Sequence, residues 1–288
     1  MGNKKSYWKV LFVIAVVLVI VGLSYICWFM FQMYTSGSEY GNLRATVTDS
    51  TESSDNSSNN RPNNVEGTTY GDTPDAPLDN VAPEVVKDAI NGDINFTELW
   101  KINTDLYAWI NIPNTMVDYP IAQYSGDDDE YYLSHNMYKE SAFAGCIYTE
   151  KANSKDFSDP NTVLYGHNMA NGSMFRDLHQ FRDDSFFEEN QYIYVYLPDR
   201  TLTYHIFAAY EYDNRHLLYS FNFDDKSVFQ NYLDYAQNPT SSMMYKTRNL
   251  NVNADDKIIT LSTCLGTIET SRYLVQGVLI KDEPTSVQ

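Results

Sequence analysis

The sequence is poor in cysteine and in positive charge. Its 288 residues include three cysteines, too few for a scaffold held together by disulfides. Lysine and arginine number 20 against 38 aspartates and glutamates, a formal charge of −18. This balance argues against nucleic-acid binding, because phosphate affinity depends on clustered basic side chains. Apolar residues are not scarce: they make up 43 % of the chain, enough for a core, which argues against general disorder.

One long stretch has no charge at all. Val10 to Phe31 spans about 33 Å as a helix, enough to cross a hydrocarbon layer of roughly 30 Å. Lys4, Lys5 and Lys9 precede it, so the positive-inside rule places residues 1–9 in the cytoplasm and the chain after residue 31 outside the cell. A cleaved signal peptide is the alternative, but the run exceeds a signal core and lacks an Ala-x-Ala site. We therefore predict a single-pass membrane helix at residues 10–31.

The segment after this helix differs in composition from the rest of the chain. Residues 32–80 are rich in Ser, Thr, Asn and Gly and poor in large apolar side chains. Such a segment buries too little surface to offset its ordering entropy, so we predict a disordered extracellular tether. The folded part is then one domain, residues 81–288.

The folded part contains mostly strand patterns. Helical spacing occurs at residues 83–91 and 96–110, with Asn95 or Thr97 as the cap of the second helix, and again at 173–183 and 224–237. Runs rich in Val, Ile, Tyr and Thr predict strands at 162–165, 192–197, 201–210, 257–263 and 272–280. Many strands with few helices indicate a mainly β domain, a barrel or a sandwich.

The three cysteines have different local contexts. Cys27 lies in the membrane run, and Cys146 lies in an apparent strand, where a buried inert thiol is expected. Cys264 ends the apolar strand and precedes a loop, so it is held by the sheet yet accessible, as a nucleophile must be. On local context alone, a structural and a catalytic role for Cys264 are equally supported.

A nucleophilic thiol needs a proton donor and acceptor, and His167 is the best-placed histidine. It follows a predicted strand and Gly166, at the point where the strand gives way to a loop. The other histidines are weaker candidates. His205 lies inside a predicted strand and His179 on an amphipathic helix, whereas His135 and His216 lie in polar connections, where an ordinary surface histidine is expected. Arg272 begins the strand after Cys264. If the two strands form a hairpin, its guanidinium can meet an oxyanion formed at Cys264, although an arginine that merely faces water fits as well.

These residues form a recognisable pattern. Thr260-Leu261-Ser262-Thr263-Cys264 followed by Arg272, with Tyr165-Gly166-His167-Asn168 upstream, resembles the signature of sortases, the membrane-anchored cysteine transpeptidases of Gram-positive bacteria. The resemblance is to class B and covers roughly residues 96–281. Four further segments match class B in the expected order: Trp109-Ile110-Asn111-Ile112-Pro113, Asp118-Tyr119-Pro120-Ile121, Tyr131-Tyr132-Leu133-Ser134-His135 and Gly172-Ser173-Met174-Phe175.

The resemblance implies an eight-stranded β-barrel with N-terminal helices and an inserted helix late in the barrel. It implies a catalytic triad of His167, Cys264 and Arg272, no cofactor, and acyl transfer from a C-terminal sorting signal to an amine. The expected partners are exported proteins that carry such a signal and a peptidoglycan precursor or pilin amine. Matching to class B also suggests four residues for the peptide groove, each of which could instead be barrel packing or loop: Leu133, Ser262, Leu218 and Tyr219.

Several alternatives stay open at this point. The same triad could pass the acyl group to water, as an extracellular cysteine endopeptidase would. The chain could also be a non-enzymatic, anchored surface module in which Cys264 is structural. The acidic run Asp127 to Glu130 lacks the spaced ligands of a calcium loop, and neither Cys-x-x-Cys nor His-x-x-x-His occurs, so no metal site is expected. Neither the sorting motif nor the acceptor amine follows from the sequence.

Overall fold

The computed structural model describes residues 3–49, 90–91, 94–239, 245–266 and 270–285. The chain begins with one long helix, α1, Asn3–Asp49. Within it, Tyr7–Phe31 has a mean hydropathy of 3.0 and is unburied, so by length and composition it can cross a membrane, although a signal sequence meets the same criteria.

Helix α1 continues well beyond the predicted membrane span. Three residues at helical spacing on its C-terminal part, Tyr40, Leu43 and Val47, are buried against the folded domain. The Tyr40 hydroxyl donates a hydrogen bond to the Gly145 carbonyl at 2.6 Å. The predicted disorder therefore does not hold for residues 32–49, because a polar composition concealed an apolar helix face. The rest of the predicted tether, residues 50–80, lies outside the described residues.

A short hairpin and a short helix lead into the barrel. Strands β1, Ile90–Asn91, and β2, Ile94–Asn95, pair antiparallel, and α2, Phe96–Ile102, follows at once. The Asn95 side chain caps α2 as predicted, by accepting from the amide of Glu98 at 3.2 Å. The predicted helix to residue 110 is too long, because the chain turns after Asn103 and residues 106–111 form a strand. Residues 83–89 of the other predicted helix lie outside the described residues.

Eight strands close into a mixed barrel, which confirms the predicted fold class. In the order of the sheet, β11, β10, β6, β5, β4, β3, β7 and β8 are neighbours, and β8 pairs again with β11 to close the ring. The short β9 pairs with β8 outside this ring. The strands are β3 Leu106–Asn111, β4 Asp118–Ala122, β5 Ile147–Tyr148, β6 Asn161–Tyr165, β7 Tyr192–Tyr196, β8 Arg200–Asp213, β9 Tyr245–Thr247, β10 Ile258–Cys264 and β11 Ser271–Pro284.

Helices fill the connections between these strands. Among the described residues, two are 3₁₀ helices, Tyr131–Leu133 and Arg176–Arg182, and the second replaces the helix expected at 173–183. The others are α3, Asp184–Glu189, α4, Leu217–Ser220, and α5, Lys226–Gln237. Helix α5 is the helix expected late in the barrel, and the Asp225 side chain caps it by accepting from the amides of Ser227 and Val228.

The barrel wall separates two apolar clusters. Trp109, Tyr204 and Tyr273 are among the large side chains that fill the interior. On the outside of the wall, α5 packs Phe229 and Leu233 against the face formed by β8, β11, β10 and β6. Each such side chain contributes about 1.5–3 kcal/mol on burial, so the two clusters together hold the wall from both sides. The residues predicted to be catalytic lie at one end of this supported wall.

Candidate active site

Cys264 and Arg272 are direct neighbours across two strands. Strands β10 and β11 form the expected antiparallel hairpin, and in its register Cys264 lies opposite Arg272. Residues directly opposite in an antiparallel pair project to the same face, with Cβ atoms about 4.5–5.5 Å apart. Arg272 in turn lies opposite Tyr212 of β8. The thiol and the guanidinium therefore share one face of the barrel wall.

His167 lies at the same edge through the parallel neighbour of β10. Ser262 of β10 is in register with Tyr165 of β6, so two residues further along each chain come Cys264 and His167. The pairing continues past the end of β6, because the Gly166 amide donates to the Ser262 carbonyl at 3.2 Å. We name Tyr212, Arg272, Cys264 and His167 the end row, and Tyr210, Leu274, Ser262 and Tyr165 the second row.

The end of β6 carries a glycine for a steric reason. A Cβ atom on Gly166 would come within 2.5 Å of the Ile147 side chain and 2.7 Å of Phe175. Non-bonded carbon atoms cannot approach each other this closely, so position 166 requires a residue without a Cβ atom. The chain can therefore bend into the loop that presents His167 while β6 stays tight against β5.

The imidazole of His167 is oriented by a main-chain carbonyl. Its Nε2 atom lies 2.7 Å from the Leu133 carbonyl oxygen, at the end of the 3₁₀ helix Tyr131–Leu133. A carbonyl only accepts, so Nε2 carries the hydrogen and Nδ1 is the atom that can gain or lose a proton. The ring also stacks at 15° on Phe143, with centroids 6.0 Å apart.

The Cys264 main chain is held by two residues that sequence reasoning did not assign. Asn168 Nδ2 donates to the Cys264 carbonyl at 3.0 Å, and His179 Nε2 donates to the same oxygen at 3.1 Å. Arg176 orients the Asn168 amide by donating to its Oδ1 at 3.0 Å. The only signal in the sequence was the position of Asn168 directly after His167.

His179 was expected on an amphipathic helix, as a weaker candidate than His167, and it lies in the 3₁₀ helix Arg176–Arg182. Its ring is half-buried and packs 5.1 Å from the ring of Tyr273. Burial, reinforced by the charge of Arg182, lowers the pKa of His179 to about 4. The ring is therefore neutral at pH 7, and its Nε2–H remains a fixed donor to the Cys264 carbonyl.

The four predicted peptide-groove residues fall into two groups. Ser262 is buried in the second row, next to the end row, and Leu133, a residue 38 % exposed, lies beside His167. Leu218 and Tyr219 lie in α4, outside the barrel wall. The ring of His216 connects them to the second row, because it lies 4.2 Å from the Tyr219 ring and 6.2 Å from the Tyr165 ring.

Two clefts flank this part of the wall. One of about 730 Å³ lies between α5 and the ends of β8 and β11, next to Arg272, and its walls include Tyr212, Tyr235 and Ser271. The other, of about 360 Å³, has Leu218 and Tyr219 in its wall. Within the described part of the chain, no group of three or more His, Cys, Asp and Glu side chains could hold a metal ion.

Comparison with known proteins gives matches to one family. The model of the sortase domain matches residues 110–280. Sortase B of Listeria monocytogenes is 36 % identical over 211 residues, which cover 70 % of this chain and 83 % of that protein.

Solved structures agree with these matches. The structure of Clostridium perfringens sortase B has a TM-score of 0.58 and 32 % identity, over 65 % of this chain and all of that one. A Staphylococcus aureus sortase B-substrate complex has a TM-score of 0.56 and 27 % identity, over 65 % and 84 % of the two chains.

Proposed function

This chain belongs to the sortase family and matches its class B members, and we propose on that premise that it is a cysteine transpeptidase. It would cleave a C-terminal sorting signal after its Thr residue and transfer the protein to an amine. One observation carries the proposal: Cys264, Arg272 and His167 come from three adjacent strands to one end row of the barrel wall.

In the first step the Cys264 thiolate attacks the carbonyl carbon of the Thr residue. The C–S bond forms, and the carbonyl π pair moves to oxygen to give a tetrahedral oxyanion. We assign the stabilisation of that charge to the guanidinium of Arg272, the residue opposite Cys264 in the hairpin. When the oxyanion collapses, the C–N bond breaks and leaves a thioacyl enzyme.

His167 supplies the proton that the departing amine needs. Because Nε2 is bound to the Leu133 carbonyl, Nδ1 is the donor. In the second step an acceptor amine loses a proton to the same Nδ1 as it attacks the thioacyl carbon, and Cys264 leaves as thiolate. The histidine is thus restored at the end of each cycle.

The partners follow from this chemistry. One substrate is an exported protein with a C-terminal sorting signal, and the acceptor is a peptidoglycan precursor or a pilin amine. That a related Staphylococcus aureus protein has been solved as a sortase B-substrate complex supports a substrate site of this kind. The apolar stretch Tyr7–Phe31 supports a single-pass anchor, with the N-terminus in the cytoplasm and the barrel at the outer surface of the cell membrane.

Mass spectrometry of the full chain in detergent micelles tests the reaction. A peptide that carries Asn-Pro-x-Thr or Ser/Pro-Pro-x-Thr is incubated with and without triglycine. We expect a thioacyl adduct on Cys264 and, with triglycine, a peptide joined to it. Hydrolysed peptide alone, even at high amine concentration, would instead establish an endopeptidase. If Cys264→Ala leaves the protein's function intact, the chain is a non-enzymatic surface module.

A further inference from the structure

An acid–base pair with a buried glutamate and a partly exposed histidine lies outside the end row and has no part in the reaction described above. His216 Nε2 is 2.8 Å from Glu150 Oε1, and the Glu150 side chain is only 4 % exposed. Glu150 follows β5 by two residues, whereas His216 is the residue directly before α4. The pair therefore connects the barrel wall to the segment between β8 and α5.

Burying the polar atoms of this pair costs free energy. Among the described residues, Glu150 Oε2 and His216 Nδ1 are buried without a hydrogen-bond partner. Burial raises the pKa of Glu150, although the His216 hydrogen bond opposes that rise, and the nearby carboxylates of Asp129 and Glu130 raise it further. A carboxyl group so placed depends on its one partner, so the pair holds His216 firmly in position.

What His216 holds is the helix that carries two of the predicted peptide-groove residues. Its ring lies against Tyr219 of α4 on one side and Tyr165 of the second row on the other. Tyr165 precedes His167 by two residues, about 7 Å along a strand. Through the His216 ring, helix α4 is thus held beside Tyr165, the second-row residue that comes two positions before His167.

We propose that Glu150 and His216 form a positioning latch that fixes α4 beside Tyr165 of the second row and so sets the affinity for the sorting peptide. This inference rests on the proposed transpeptidase function. Neither residue reaches the reacting atoms. The latch orders one wall of the peptide groove before the peptide binds. The binding free energy is therefore not reduced by the entropy lost in ordering that wall.

Steady-state kinetics of the full chain test the latch. Glu150→Gln and His216→Gln each remove one partner of the pair, and we expect KM for the peptide to rise about tenfold while kcat changes less than twofold. Because the two residues act as one unit, the double variant should be no worse than the worse single variant. The rate at which iodoacetamide alkylates Cys264 should not change.

A matched control comes from the same insertion. Lys226 and Asp255 form an ion pair at the start of α5, with both side chains about three-quarters exposed. Asp255→Asn breaks this pair, and its KM should equal that of the wild type. A fall in kcat at constant KM, additive effects of the two latch variants, or an equal effect of Asp255→Asn would each overturn the proposal.

Two further measurements separate failure of the latch from other failures. Binding of a fluorescent sorting peptide to Cys264→Ala, with and without Glu150→Gln, reports affinity independently of turnover. If this affinity does not fall, the latch is wrong, whereas absence of turnover in the wild type refutes the transpeptidase. If Glu150→Gln does not fold, Tyr219→Ala serves instead, because Tyr219 is 70 % exposed. It should raise KM in the wild type but not in His216→Gln.

Discussion

Cys146 and Cys264 are both held by the barrel, but their surroundings differ in almost every respect. Cys146 is buried next to β5, and its Sγ lies 3.8 Å from the Pro120 carbonyl. Burial raises the pKa of the Cys146 thiol to about 12, so it stays protonated. Cys264 is only half-buried, at the open end of β10, with Arg272 opposite it.

The difference shows that burial, and not the type of residue, separates the two thiols. Cys264 ends β10 and is partly exposed, whereas Cys146, the residue before β5, is only 2 % exposed and is enclosed by packing. Substitutions in the Cys264 region and in the Cys146 region should therefore have different effects.

The largest effect should come from the two thiols themselves. Cys264→Ala should lower kcat/KM for peptide transfer by at least about 10³-fold, because no other group can form the thioacyl bond. Cys146→Ala should retain transfer and cost about 1 kcal/mol of unfolding free energy through lost packing. Turnover with a fluorogenic sorting peptide and urea unfolding measure the two quantities. Equal loss of activity in both variants would remove the contrast.

The second-largest effect should come from Arg272, the residue opposite Cys264 in the hairpin. Arg272→Ala should lower kcat by about 10²- to 10³-fold, the usual cost of losing one oxyanion donor. Arg272→Lys should recover part of this loss, since an ammonium keeps the charge but not the planar fork. Iodoacetamide should still alkylate Cys264 in both variants. An arginine that merely faced water would leave kcat unchanged.

A smaller effect concerns the support of the Cys264 carbonyl. Because the pKa of His179 is about 4 in the folded chain and about 6.5 when exposed, the unfolded chain binds more protons between these values. The contribution of neutral His179 to stability is therefore complete above about pH 6.5 and is lost as the pH falls towards 4. Solvent screens a half-exposed ring, so we expect about 1 kcal/mol, or 2–4 °C in Tm.

The variant His179→Gln isolates this contribution, because glutamine keeps an N–H donor for the Cys264 carbonyl without titrating. Thermal unfolding at pH 7 and at pH 4.5 should show a smaller drop in the variant than in the wild type. Equal drops would mean that His179 is as accessible as an ordinary surface histidine.

The smallest effect is expected on the Cys146 side. Tyr40→Phe removes the hydrogen bond from α1 to the Gly145 carbonyl, next to Cys146, at a cost of about 1 kcal/mol. The ring still packs on Tyr119, so α1 should stay docked. Urea unfolding of the full chain in micelles measures the change, and peptide turnover should not differ from the wild type. A loss of turnover would couple the two regions.

Local pattern was sufficient for much of this structure. Strand β10, the hairpin that brings Arg272 opposite Cys264, and the cap of α2 at Asn95 all follow from residues close in the chain. The end of α2 did not, because the apolar spacing of residues 96–110 fits a helix while the turn after Asn103 depends on contacts elsewhere. The Asn103 side chain donates to the Tyr132 hydroxyl and the Met137 carbonyl, and both partners are distant in sequence.

Contacts between distant residues also explain why the roles of two histidines near the site were not predicted. His179 and His216 occupy unremarkable positions in the sequence, and their roles arise only when the fold places the Cys264 carbonyl and Glu150 beside them. The buried face of α1 was missed because three apolar residues were too few to offset a polar composition. In each case the structure depends on contacts between residues that are far apart in the sequence, and the spacing of apolar residues does not predict such contacts.

The docking of α1 has a consequence for the position of the barrel. Tyr40, Leu43 and Val47 hold the C-terminal part of this helix against the folded domain. Phe31 and Tyr40 lie nine residues apart on α1, about 14 Å along its axis, and Tyr40 is bound to the Gly145 carbonyl of the domain. If Tyr7–Phe31 spans the membrane, a helix of fixed length therefore sets the distance from the bilayer to the barrel.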